Sequence, residues 1–158
     1  MSLSERGVRS ARALATLWAL PHGQRLPFAL CWWALLSSRL RLRAGRLLAG
    51  GRLLRQRLVG QAPRPAATLP EDTLVALFGQ AAATQVVAVP CLPRALALAR
   101  VLGQHGLPAR IEIGMRTGSD GLEGHAWVER ENRVVGDAES LVGSFVRFTR
   151  AAPNAVRP

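Results

Sequence analysis

Three strand-like segments, the first alternating with period two, crowd into residues 110–137 and constrain the fold more than any other feature. Arg110-Ile111-Glu112-Ile113-Gly114-Met115, His125-Ala126-Trp127-Val128-Glu129 and Arg133-Val134-Val135-Gly136-Asp137 send successive side chains to opposite faces, as strands do. Thr117 to Gly121 reads as a turn-rich loop and Arg130 to Asn132 as a turn, so the segments read as an antiparallel hairpin. The chain before them has a helical character. Ala95-Leu96-Ala97-Leu98-Ala99-Arg100-Val101-Leu102 is strongly helical by propensity, and His105-Gly106 supplies a glycine stop. Pro93 fits only a first turn, which starts this helix near Cys91. Glu71 to Ala82 forms another helix, with Leu74, Leu77 and Phe78 on one face and acids in its first turn. Helices leading into a small antiparallel sheet make an α+β domain.

Charge divides the chain in two. Residues 1–65 hold 12 arginines and one acid, Glu5; residues 66–158 hold nine of each, so the front half carries the whole net charge of +11. All 21 basic residues are arginine, and the absence of lysine reflects a GC-rich coding sequence more than a function. In the front half, residues 4–20 read as a helix opened by Ser4, with Val8, Ala11, Leu14 and Trp18 near helical spacing. Pro21-His22-Gly23 breaks it, and a second helix is expected to start near Pro27 and run through Cys31, Leu35 and Leu36. Arg39 to Arg43 alternates with period two, but its alanine, leucine and arginine surroundings favour helix. Pro63, Pro65 and Pro70 mark a linker. The expected organisation is a basic helical segment over 1–62, a linker over 63–70, a catalytic domain over 71–150 and a tail over 151–158.

Three uses of the arginine-rich half compete. It is a solvated helical face whose stems cover the core, an electrostatic dock for an acidic peptide, a partner protein or an anionic membrane surface, or a nucleic-acid site. The last is disfavoured, since no aromatics interleave with the arginines and no zinc-finger or RNA-recognition signature appears. The longest apolar run, Leu26–Leu36, contains Pro27 and is shorter than the ~20 residues of a membrane span. It also lies too far along for a secretory signal, so a cytoplasmic protein is expected. The histidines and cysteines show no ligand spacing, so neither a metal nor a cofactor is expected. Cys31, between Leu30 and Trp32, reads as a buried thiol.

Chemistry concentrates on three residues. A cysteine at a helix start meets free backbone N–H groups and the positive dipole end, which stabilise a thiolate; Arg94 lies one turn on. With a histidine and an aspartate on the following strands, Cys91, His125 and Asp137 form a candidate nucleophile, general base and acid, and orienting carboxylate. The backbone N–H of Cys91 is one candidate oxyanion donor and Gln85 a second. Parity limits the arrangement. A two-residue loop pairing Arg130 with Arg133 would set Asp137 opposite Ala126 and aim it away from His125. An odd loop, or a bulge that restores the register, is therefore expected.

The blocks Cys91-Leu92-Pro93-Arg94-Ala95-Leu96-Ala97-Leu98, Gly106 to Arg116, and Gly124-His125-Ala126-Trp127-Val128-Glu129 resemble the transglutaminase-like lasso peptide biosynthesis B protein in its stand-alone protease form. The resemblance covers about residues 71–150 and implies a papain/transglutaminase-like core, in which the cysteine helix packs on a small antiparallel sheet. It also implies a bacterial leader peptidase that frees the amine of a ribosomally made core peptide. Carried over, Cys91 is the nucleophile, His125 the general base and acid and Asp137 the orienting carboxylate, with Glu139 a competitor along the same strand face. Implied partners are the precursor's leader, a separate leader-recognition protein and an ATP-dependent macrolactam synthetase. Two other readings stay open: an acyltransferase or transglutaminase using the same triad, and a non-catalytic peptide- or partner-binding module.

Overall fold

The computed structural model describes the backbone of residues 3–48 and 69–148, with side chains from residue 11 to 44 and from 69 to 148. Two long helices come first, α1 (Leu3–Ala19) and α2 (His22–Leu48), then α3 (Glu71–Ala83) and α4 (Cys91–Gln104). Strands β1 (Arg110–Gly118), β2 (Gly121–Arg130) and β3 (Arg133–Val135) follow, then a one-turn helix α5 (Glu139–Val142) and a short strand β4 (Val146–Arg147). The sheet runs β3-β2-β1-β4 and every neighbouring pair is antiparallel. The boundary expected at residues 62–63 lies outside the described residues.

One core joins the helices to one face of the sheet. Phe28, Cys31 and Leu35 of α2, Leu74 and Phe78 of α3, and Leu98 and Leu102 of α4 are buried together with Ala126 and Val128 of β2. Spacings of three and four residues put each helical set on a single stripe. Each fully buried leucine or phenylalanine contributes about 1.5–3 kcal/mol relative to exposure. The second helix of the arginine-rich half is thus a wall of the core that also holds α3 and α4.

Local chemistry sets the helix ends. At the end of α4, Gly106 takes the left-handed region (φ 75°), the Gly106 N–H donates to Gly103 O (3.1 Å) and the Leu107 N–H to Leu102 O (3.0 Å). This is the Schellman stop that the glycine announces. The start of α2 differs from expectation. The helix begins at His22, where the Gln24 N–H donates to Pro21 O (2.9 Å), and Pro27 falls inside it. Proline there forfeits the bond to the carbonyl of Gly23, an exposed residue. Arg25 ties the two helices together, donating from Nε to Leu20 O (3.0 Å) and from Nη2 to Trp18 O (3.1 Å).

The sheet also departs from expectation. Thr117 and Gly118 extend β1, and β2 starts at Gly121, so the loop shrinks to Ser119-Asp120. The exposed extension is held by Arg116 Nε on Glu123 Oε2 (2.8 Å), a cross-strand pair with no apolar pattern to announce it. The turn between β2 and β3 has two residues, Glu131 (φ 51°) and Asn132 (φ 61°), and the register is Arg130↔Arg133, Glu129↔Val134, Val128↔Val135. The odd loop expected from parity is therefore absent. The third strand is also shorter than expected: the ladder stops at Val135, and Gly136 and Asp137 lie beyond it.

Candidate active site

Cys91 is the first residue of α4, half-buried, with Pro90 before it in an extended conformation (ψ 164°). Pro90 O accepts from the Arg94 N–H (3.1 Å), so the N–H groups of Cys91 and Leu92 are the free donors of the first turn. The segment leading to the cysteine is anchored on α2. Arg39 Nη1 donates to Ala88 O (2.6 Å) and Gln85 Nε2 donates to Trp32 O (3.0 Å). Gln85 is buried, and its amide is engaged by α2 instead of lining the cavity beside Cys91. Its role here is to fix the approach to the helix.

His125 lies on β2 opposite Gly114 of β1. Its ring stacks on Trp127 (centroids 6.1 Å, planes 15° apart), two residues along the same strand face. Phe145, from the turn before β4, packs on it at 5.3 Å. Gly114 makes this possible, because a Cβ there would meet Trp127 Cη2 and Val146 O at 2.9 Å and Phe145 Cβ at 3.0 Å. Behind the stack, Glu129 is buried as an anchor. It accepts from Trp127 Nε1 (2.9 Å) and Arg110 Nη2 (2.9 Å), and Arg147 Nη2 lies 2.8 Å from Oε1. Burial pushes the Glu129 carboxyl up, but those two hydrogen bonds and the charges of Arg147 and Arg110 prevail and hold it below the ordinary carboxylate value.

Asp137 Oδ2 stands 3.4 Å from His125 Nε2, close enough for an ion pair but outside hydrogen-bond geometry; Nε2 is buried and has no hydrogen-bond partner among the described residues. The parity argument fails because it carries the ladder past Val135. Gly136 turns the backbone into the left-handed region (φ 77°) and brings the next side chain round to His125. A Cβ on Gly136 would also lie 2.6 Å from Leu98 Cδ2, and Gly136 O accepts from Arg94 Nη2 (3.2 Å). Arg94, expected to favour a thiolate, fastens the aspartate's loop to the cysteine's helix. Glu139, expected to compete along a strand face, instead opens α5 and is exposed.

Cys91, Arg94, His125 and Asp137 line one cavity of about 220 Å³, walled by Val89, Leu98 and Val135. The structure thus brings together the three residues singled out from the sequence and leaves Gln85 outside. With Nε2 turned to the carboxylate, Nδ1 is the ring nitrogen left for a thiol. The other cysteine, Cys31, is fully buried in the core and burial pushes its thiol up to about 12. Among the described residues no group of three or more His, Cys, Asp or Glu is placed to hold a metal ion. Gly136, Gly114 and Phe145 escaped the sequence reading. The first left one signal, a glycine directly before the aspartate at a strand end. A family model described as the transglutaminase-like superfamily matches residues 32–150, from within α2 to beyond β4. No curated protein and no solved structure matches the chain.

Proposed function

Since the chain belongs to the transglutaminase-like superfamily and has that family's α+β domain, we propose that it is a cysteine peptidase that removes the leader from a lasso peptide precursor. Superfamily membership supports cysteine protease or acyltransferase chemistry. The observation that carries the reading is the meeting of Cys91, His125 and Asp137 at one cavity, with the imidazole 3.4 Å from the carboxylate. The leader and its partners are supported by the sequence blocks around Cys91 and His125.

In this reading His125 Nδ1 takes the proton of Cys91 Sγ, and the thiolate attacks the carbonyl carbon at the leader–core junction. The oxyanion is met by the Cys91 N–H at the positive end of α4. The C–N bond breaks as His125 returns the proton to the leaving amine, which frees the core peptide. The leader remains as a thioester, and a water deprotonated by His125 hydrolyses it. Asp137 holds the tautomer and supports the imidazolium throughout. The protein acts in the cytoplasm beside a separate leader-recognition protein, and the freed amine goes to a macrolactam synthetase.

Mass spectrometry of a precursor incubated with the protein and the candidate recognition protein tests the reading. Cutting at the leader–core junction, lost in Cys91→Ala, is the expected result. Equal cutting by both proteins removes Cys91 from the mechanism. Transfer of the leader to an added amine in place of water moves the reading to an acyltransferase.

A further inference from the structure

We infer that the outward face of α2 seats the protein on an anionic lipid surface, a property independent of the chemistry at Cys91. The face is apolar where a surface helix should be polar. Leu26, Leu30, Trp33 and Leu40 are 68%, 46%, 60% and 52% exposed. At about 100° per residue they fall within roughly 80° of one another on the helix. The opposite face, Phe28, Cys31 and Leu35, is buried in the core. The face opposite the core stripe thus exposes Leu26, Leu30, Trp33 and Leu40, while Ser37 between Trp33 and Leu40 is buried.

Two observations point to lipid as the occupant. The first is charge. Between residues 11 and 44 there are five arginines (Arg12, Arg25, Arg39, Arg41 and Arg43) and no acid. Arg25 and Arg39 are bonded to backbone carbonyls, whereas Arg12, Arg41 and Arg43 are exposed. On the helix, Arg41 and Arg43 flank the apolar stripe on either side, the arrangement by which an interfacial helix reaches anionic headgroups while its apolar face enters the acyl boundary. The second is the use of tryptophan. Trp33 lies on the stripe and Trp18 of α1 is exposed beneath the Arg25 guanidinium (5.2 Å), and tryptophan favours the membrane–water boundary. A second copy of this chain is a poor occupant, because both copies carry +11. No described helix is long and apolar enough to cross a membrane, so the contact is a seating on the surface.

Vesicle flotation of the full chain tests this, with vesicles of phosphatidylcholine alone and of phosphatidylcholine mixed with phosphatidylglycerol. The wild type should float with the mixed vesicles, far less with the neutral ones, and its tryptophan emission should shift to the blue. Leu30→Glu with Trp33→Glu should lower the mixed-vesicle partition coefficient at least about tenfold while leaving the circular dichroism and Tm unchanged. Arg41→Glu with Arg43→Glu should weaken it while leaving the apolar stripe intact. Failure of the wild type to bind mixed vesicles at low salt overturns the inference. So does an unchanged partition of the Leu30/Trp33 variant. Retention by a purified recognition protein through Leu30 and Trp33, without vesicle binding, assigns the face to a protein instead.

Discussion

His125 Nε2 and Asp137 Oδ2 come within 3.4 Å although the β2–β3 ladder ends two residues before the aspartate. The contact depends on the left-handed turn at Gly136 instead of on strand register. If the carboxylate orients the imidazole, Asp137→Ala should lower kcat/KM for precursor cleavage by about 10²-fold or more. Glu139→Gln should leave it within about twofold, since Glu139 opens α5 in solvent. Comparable losses in the two variants would remove Asp137 from the triad.

Gly136 meets two demands at once, a φ of 77° and the space beside Leu98 Cδ2. Gly136→Ala should destabilise the fold by about 1–3 kcal/mol and cut activity. Leu98→Ala is itself costly, as a core truncation of about 2–5 kcal/mol. In the double variant the steric part of the Gly136 penalty should vanish while the conformational part persists. Chemical denaturation reads this as a coupling energy, and strict additivity of the two changes would refute the steric account.

Arg94 reaches from the helix of Cys91 to the carbonyl of Gly136, next to Asp137. It is a positioning residue in the proposed mechanism. Arg94→Ala should lower kcat about tenfold, the scale of one charge-assisted hydrogen bond, with a smaller change in KM. Arg94→Lys should recover part of the loss. A change confined to KM would mean that the guanidinium holds substrate instead.

The parts of this architecture that repeat were legible in the sequence. Leu74/Leu77/Phe78 and Ala95 to Leu102 mark their helices, Gly106 marks the stop of α4, and Cys91 follows as a first-turn residue from Pro93. Alternation marks the inner part of β1, where one face meets the core. What stayed hidden lacks a period. The two-residue turn carries Glu131 at φ 51°, a residue that does not announce positive φ, and the register expected from parity fails because the ladder stops at Val135, before Asp137. Phe145 reaches His125 from a turn after the one-turn helix α5, and only Gly114, 31 residues earlier, makes room for it. The start of α2 was misplaced because proline is a weaker stop where the lost bond is to an exposed residue.

The buried Glu129 should make stability depend on acid. Its folded pKa is lowered, so the stabilisation is complete above the unfolded carboxylate value and is lost as pH falls through the folded one. Denaturation midpoints should therefore fall from the ordinary glutamate range downward. Glu129→Gln keeps an acceptor for Trp127 but drops the charge that Arg110 and Arg147 face. It should cost about 1–3 kcal/mol near neutral pH and flatten that part of the acid limb. An unchanged acid limb in the variant would mean that other carboxylates set it.

The two cysteines should differ in reactivity for reasons of placement. Cys91 is half-buried at the mouth of a helix and lines the cavity, where a small electrophile can reach it. Cys31 is fully buried among α2, α3 and α4, and burial raises its pKa to about 12, so its thiolate is negligible near neutral pH. Iodoacetamide should add one group to the folded protein, on Cys91, and abolish cleavage in proportion. Unfolding should expose the second thiol. Cys31→Ala should keep the activity and lower the Tm, since it trades a packed sulfur for a small cavity. Intact-mass and peptide mapping decide this: a folded protein modified first at Cys31, or modified at Cys91 without loss of cleavage, would contradict the assignment of Cys91 as nucleophile.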